Sequence, residues 1–207
     1  MFKPFSFCLL TALLLVSLVA NAQKASFSDY RAKLLKERAD KDEEFLSHEG
    51  SPITDEDRET FRGLAYFKPA KKWIIDARLE RFSNPDTIRM QTTTARLPLY
   101  IVFGKAHFEY KGRKFSLTVF QNVDLMKKSG YENYLFLPFT DLTSGEESYG
   151  GGRYLDLRCD HTQTVTLDFN RAYNPYCVYN KKYSCPVPPS ENFLNIEVKA
   201  GEMNFSH

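Results

Sequence analysis

The feature that most limits what this chain can become is a two-residue periodicity that starts near Tyr66 and runs, broken by turns, almost to the C-terminus. Trp73, Ile75, Ala77 and Leu79 alternate with Ile74, Asp76, Arg78 and Glu80, the pattern of a strand buried on one face. Leu99 to Val102 is continuously apolar and reads as a more fully buried strand. Ala106, Phe108 and Tyr110 lead into Lys111-Gly112, and Phe115, Leu117 and Val119 lead out again. That is a hairpin, with Gly112 supplying a positive φ in the turn. Tyr134 to Phe139, Tyr154 to Cys159, Val165 to Phe169 and Leu194 to Val198 add four candidate strands. Strands joined by turns, with no helix between them, predict a single antiparallel β-barrel or sandwich domain.

The chain ahead of this body has a different period. Residues 26 to 46 read as a charged amphipathic helix, with Ser26 and Asp29 as a capping box and Tyr30, Leu34 and Phe45 as its apolar stripe. A short second helix follows, with Thr54 as N-cap, Asp57 at the box position and Gly63 as the stop. The fold class is therefore mainly β, α+β by count, with residues 23–63 an N-terminal helical arm and 64–207 the β-rich body of the same domain.

Residues 1–22 read as a secretory signal peptide. Lys3 gives the positive start, Leu9 to Ala20 is apolar but for Thr11 and Ser17, and Ala20-Asn21-Ala22 is a small-x-small cleavage site. The expected location is outside the cytoplasm, periplasmic or extracellular, with no transmembrane segment after cleavage. Cys8 leaves with the leader, and Phe5-Ser6-Phe7 is too bulky for a lipoprotein signal. Without its leader the chain of 207 keeps 185 residues, enough for one domain with a real core. Without Lys3 it carries 27 basic and 26 acidic residues, and that balance disfavours nucleic acid as a partner. Its 43% hydrophobic content argues against disorder.

An exported chain meets oxidants, so Cys177 and Cys185, seven residues apart, form a disulfide candidate. Free buried thiols or a metal site with His161 are the alternatives. The spacing fits no common zinc motif, and no metal or other cofactor is expected. Cys159 reads as a core residue.

The candidate site lies in the second half. Tyr149-Gly150-Gly151-Gly152-Arg153 is a flexible loop whose amides, with Arg153, suit a carboxylate, phosphate or sulfate, though it lacks the Lys-Ser/Thr and helix of a P-loop. In the next segment Leu155, Leu157 and Cys159 face one way and Tyr154, Asp156 and Arg158 the other. In the one after, Val165, Leu167 and Phe169 leave Asp168 and Asn170 opposite. If these two strands pair as neighbours, their polar faces coincide. A proline-stiffened, tyrosine-rich loop follows, containing Arg171, Tyr173, Asn174, Glu191 and Asn192. A plain solvent-facing sheet, or packing of that loop on the barrel end, explains the same patterns without a ligand.

The stretch Asp141 to Asp156, with Asp168-Phe169-Asn170-Arg171-Ala172-Tyr173-Asn174-Pro175, Cys177, Tyr179-Asn180, Tyr183-Ser184-Cys185-Pro186, Pro188-Pro189 and Glu191-Asn192, resembles the signature of the bacterial and archaeal family DUF1684. Ser51-Pro52 and Phe61 to Phe67 resemble it too. The resemblance implies that the polar stretch from Asp141 to Asn192 belongs to what defines the family, and it brings no established activity. It also implies that Cys177 and Cys185 can have a role without oxidation, since members lacking an export signal sit in reducing compartments.

Three functions compete. The first is a module binding a small polar or anionic ligand, such as a carbohydrate, through Tyr149, Gly151, Gly152, Arg153, Tyr154, Asn170, Arg171, Tyr173, Asn174, Glu191 and Asn192. The second is a glycoside-type hydrolase using Asp156, Asp168 and Glu146 as acid and base. Serine chemistry lacks a nucleophile elbow at Ser148 or Ser184, and a Cys177–His161 pair is a minor variant. The third is a structural envelope protein whose polar stretch closes a barrel end.

Overall fold

A computed structural model describes residues 7–47, 50–159 and 162–206, with side chains from 26 onward. Lys3, the positive start of the expected leader, lies outside the described residues, as do His48, Asp160, His161 and His207. The chain divides into two compact units, Met1–Lys41 and Asp42–His207.

The first unit is helical. Helix α1 spans Phe7–Leu46, so Ser26 lies inside it and caps nothing. Within this unit Phe27 stacks on Tyr30 with ring centroids 5.6 Å apart, and Lys36 pairs with Asp40 at 2.8 Å across one turn. Among the described residues no helix is long and apolar enough to cross a membrane.

The second unit begins with the end of α1 and a short helix α2, Asp55–Thr60. Here the capping expectation is met, because the Thr54 hydroxyl accepts from the Asp57 amide at 3.1 Å. Phe45, Ile53, Phe61 and Tyr179 form a small apolar cluster beside these turns. Then come β1 Ile74–Arg81, β2 Thr87–Arg89, β3 Leu99–Tyr110, β4 Arg113–Asn122, β5 Tyr134–Asp141, β6 Arg153–Arg158, β7 Thr164–Asp168 and β8 Phe193–Leu194. The main path runs β6-β5-β4-β3-β1-β7, antiparallel throughout, with β2 against β3 and β8 parallel to β5. The sheet curls into a nearly closed barrel. Its two edge strands, β6 and β7, are consecutive in sequence, and the Arg81 guanidinium at the end of β1 reaches the Cys159 sulfur just past β6.

Alternation sets the inside of the barrel. Ala77 and Leu79, Leu117 and Val119, Leu135 and Leu137, Leu155 and Leu157, and Val165 and Leu167 fill one core with Phe108, Phe139 and Phe169. Leu99–Val102 and Ala106–Tyr110 join into the single strand β3, interrupted by a bulge between Val102 and Gly104. The β3–β4 turn has positive φ at both Lys111 and Gly112, 51° and 72°, matching the twist of the flanking strands.

Two expectations change. Strands β6 and β7 do not pair: β6 hydrogen-bonds β5, and β7 hydrogen-bonds β1. The stretch Leu194 to Val198 is not a strand beyond Leu194. It crosses the barrel end instead, burying Val198 and Ala200 in the core.

A second layer was not legible in the alternation. Strands β4 and β5 are buried on both faces over 117–121 and 135–139. Met90, Tyr100, Phe120, Phe136 and Tyr154 form an aromatic cluster on the outer wall. The chain around β2 and the loop after Pro175 cover that wall and clip to each other. Thr93 N donates to Cys185 O at 2.9 Å, and Val187 N to Gln91 O at 2.8 Å.

Candidate functional site

The polar residues of the second half separate into two groups. At the barrel end, Arg153 is fully buried beside Asp141, which is 2% exposed, and the two pair at 2.6 Å. Its guanidinium also donates to Val198 O at 2.9 Å, to Glu202 O at 3.1 Å and to Ala200 O, between the rings of Phe67 and Phe139. Burial pushes its pKa down, and the Asp141 carboxylate works against that shift. Arg153 is thus a staple for the C-terminal segment and is not presented to a ligand.

Its neighbours do similar work. The Glu202 carboxylate accepts from Asn174 N at 2.8 Å and from the Tyr179 hydroxyl at 2.6 Å. Asn170 clasps the backbone of Ala70, accepting from its amide at 2.9 Å and donating to its carbonyl at 3.1 Å. Asn192 is the most informative. Phe120 faces Phe136 across β4 and β5, a register that sets Thr118 opposite Pro138. Pro138 has no amide to give, and the Asn192 side chain enters the gap. It accepts from Thr118 N at 2.7 Å and donates to Thr118 O at 2.8 Å and Pro138 O at 2.7 Å.

Of the three loop glycines only Gly152 is buried, and Gly150 and Gly151 are exposed. Gly152 has φ +88°, its amide closes a turn on Tyr149 O at 3.0 Å, and a side chain there would strike Phe139 O. A side chain on Gly151 would strike the Tyr149 ring, which lies over it. Glu146 is exposed, and its carbonyl accepts from Asn204 at 2.6 Å. Asp168 is bound by Asn170 and by Arg171 at 3.1 Å, and Glu191 is exposed in the turn before β8.

The second group stays open, and it gathers around Asp156. On the outer face of β6, Asp156 stands opposite Phe136 of β5, one alternation step from Tyr134. One oxygen, Oδ1, accepts from both the Tyr134 and Tyr173 hydroxyls at 2.6 Å. Burial, reinforced by the Asp156 charge, raises both phenol pKa values, so both remain protonated donors. Tyr154 stands edge-on to Tyr173 at 5.7 Å and to Phe136 at 4.8 Å, its hydroxyl donating to Pro186 O. Beside them an open cleft of about 390 Å³ runs along the seam between β6 and β7, lined by Asp156, Arg158, Thr164 and Thr166 among others. The two polar faces thus meet across a groove instead of through a ladder. Arg158 is anchored by Gly130 O and lies over the rings of Tyr131 and Tyr134.

Asp156, Tyr173 and Tyr154 are therefore brought together, Asp168 is held elsewhere by Asn170 and Arg171, and Glu146 lies exposed in the loop between β5 and β6. Tyr134, Thr164 and Thr166 were missed as site residues. The alternation carries a signal for Tyr134, whose phase in Tyr134 to Phe139 matches that of Asp156 in its own strand.

Beside Tyr154 lie the two cysteines. Both are free, with Cys177 half-buried and Cys185 buried, so the disulfide candidate is a thiol pair in this structure. Among the described residues no group of acidic, histidine and cysteine side chains is placed to hold a metal ion.

The family model for "Protein of unknown function (DUF1684)" matches residues 59–203. A solution NMR structure of an uncharacterized protein from Haloarcula marismortui is 34% identical, with a TM-score of 0.66, covering 86% of this chain and 96% of that one. No curated protein matches the chain.

Proposed function

The chain belongs to the DUF1684 family, and from that premise we propose that it is an exported module that binds a small, neutral, polyhydroxylated ligand of the carbohydrate class. The site is the tyrosine-held carboxylate of Asp156 and the threonine-lined groove beside it. One observation carries the reading. Two permanently protonated phenols fix a single oxygen of Asp156, and its side chain borders an open groove whose other wall carries hydroxyls. A fixed carboxylate acceptor and threonine hydroxyls suit a ligand rich in hydroxyls. An anion finds less here, because the groove sets the carboxylate of Asp156 beside the one cation in its lining among the described residues, Arg158, and Arg153 spends its charge on Asp141. Export rests on the leader sequence alone.

The hydrolase reading requires two carboxyl groups flanking one bond, about 5–9.5 Å apart. Asp156 takes phenols as partners on one edge strand, and Asp168 takes Asn170 and Arg171 at the end of the other. The binding reading is tested by thermal unfolding against a panel of mono- and oligosaccharides at saturating concentration. A stabilising sugar is expected for the wild type, with the shift lost in Asp156→Ala. No stabilising sugar, or an undiminished shift in that variant, overturns it.

A further inference from the structure

We propose that Cys177 and Cys185 form a peroxide-oxidisable dithiol site, Cys177 being the attacking thiol and Cys185 the resolving one. This does not depend on the ligand assigned to the Asp156 groove.

The geometry divides the two roles. Cys177 follows Tyr176 in a single turn of 3-10 helix, 176–178, and lines a second open cleft of about 560 Å³ with Thr54, Asp57, Asn180 and Lys181. Cys177 is half-buried at the border of that cleft, the more open of the two cysteines. Cys185 is only 6% exposed and is clamped through its backbone, its carbonyl accepting from Thr93 N and its amide donating to the Thr93 hydroxyl at 3.1 Å. The two residues already touch, since the Cys177 amide donates to the Cys185 sulfur at 3.2 Å. The seven residues between them close the loop without drawing on any distant element.

The surroundings then set the order of events. The Cys185 thiol donates to the Cys177 sulfur and, despite partial burial, the hydroxyls of Thr93 and Tyr149 help it draw the Cys177 pKa down to about 6. That hydrogen bond, with burial, pushes the Cys185 pKa up, while the Cys177 amide and the Arg96 charge pull the other way. Both shifts favour a thiolate at 177 and a thiol at 185.

Attack by the Cys177 thiolate on a hydroperoxide oxygen breaks the O–O bond. The leaving hydroxide takes up a proton as water, and Cys177 becomes a sulfenic acid. Its negative charge is then gone, and with it the interaction that held the proton on Cys185. The amide of Cys177 and Arg96 now favour the Cys185 thiolate. Its sulfur attacks the Cys177 sulfur and expels hydroxide, which leaves as a second water carrying the Cys185 proton. Two thiols and one hydrogen peroxide give one disulfide and two waters, a two-electron oxidation.

The test is one equivalent of hydrogen peroxide added to the reduced folded protein, followed by alkylation and peptide mapping. A Cys177–Cys185 disulfide is expected, reversed by dithiothreitol, with Cys159 still a thiol. In Cys185→Ser, dimedone should trap a sulfenic acid at Cys177, about tenfold more than at Cys185 in Cys177→Ser, following thiolate character and access. Three results overturn the proposal: both thiols surviving the peroxide, equal dimedone labelling in the two variants, or a pair already oxidised after purification that glutathione does not reduce.

Discussion

The barrel end around Arg153 and the outer wall around Asp156 are built from one polar stretch of chain, yet they differ in what their polar groups do. At the end, each polar side chain answers a backbone need. Arg153 gathers three carbonyls of the C-terminal segment, Glu202 fixes Asn174 and Tyr179, and Asn192 fills the place of an amide that Pro138 lacks. Around Asp156 two side-chain hydroxyls answer a side-chain carboxylate, and that carboxylate remains exposed beside a groove. A polar signature is thus not one signal. Buried members fix the fold, and only those left at an open surface are available to a ligand.

If that contrast is right, the largest loss of stability belongs to the end. Arg153→Ala leaves the Asp141 carboxylate buried without its cation and strands the carbonyls of Val198, Ala200 and Glu202. Breaking a buried pair in this way costs about 3–5 kcal/mol. Urea unfolding should show it as a lower midpoint, and a loss below about 1 kcal/mol would erase the distinction between the two regions.

Asn192→Ala comes next. It leaves the Thr118 amide and two carbonyls unpaired between β4 and β5, at a cost of about 2–3 kcal/mol. Hydrogen exchange at Thr118 should rise with it, because that amide then has no partner in the ladder.

These two residues also mark where the sequence stopped being readable. The barrel strands could be read because each buries one face, and period two reports that directly, as in Leu155, Leu157 and Cys159. The Thr54 cap and the Gly112 turn could be read because their chemistry is local. Arg153 looked like a ligand contact because it follows three glycines, and nothing local says that carbonyls about 45 residues later close over it. The same distance hid the covered wall. Alternation cannot distinguish a strand face open to water from one that another loop covers, so Phe120 and Phe136 gave no warning. Asp156 could be placed on the outward face of β6, and Tyr134 on that of β5. Their meeting depended on β5–β6 pairing, a long-range fact.

A pH titration sharpens the contrast from the open side. Cys177 should react with iodoacetamide half-maximally near pH 6 in the folded protein, against about 8.5 for an ordinary thiol. Its folded pKa is lowered, so whatever stability its thiolate adds is complete above the unfolded value and is lost as pH falls toward 6. Cys185→Ala removes the first cause of the shift, the hydrogen bond donated from position 185, and the profile should move back up. An unchanged profile in that variant would place the cause elsewhere.

The smallest effect on stability should come from the residue proposed to matter most for binding. Asp156→Ala removes an exposed carboxylate from two hydroxyls, and the Tyr134 and Tyr173 rings keep their packing in the outer cluster. The side chain gave its partners charge-assisted hydrogen bonds, but water can replace part of them at an open surface, so the net cost is about 1 kcal/mol or less. Urea unfolding of Asp156→Ala beside Arg153→Ala puts the contrast on a single scale. Near-wild-type stability with sugar stabilisation gone means that the carboxylate is kept at the surface for a ligand. A loss comparable to that of Arg153→Ala would instead make the tyrosine–aspartate cluster a second structural staple, and the wall would then differ from the end only in its exposure.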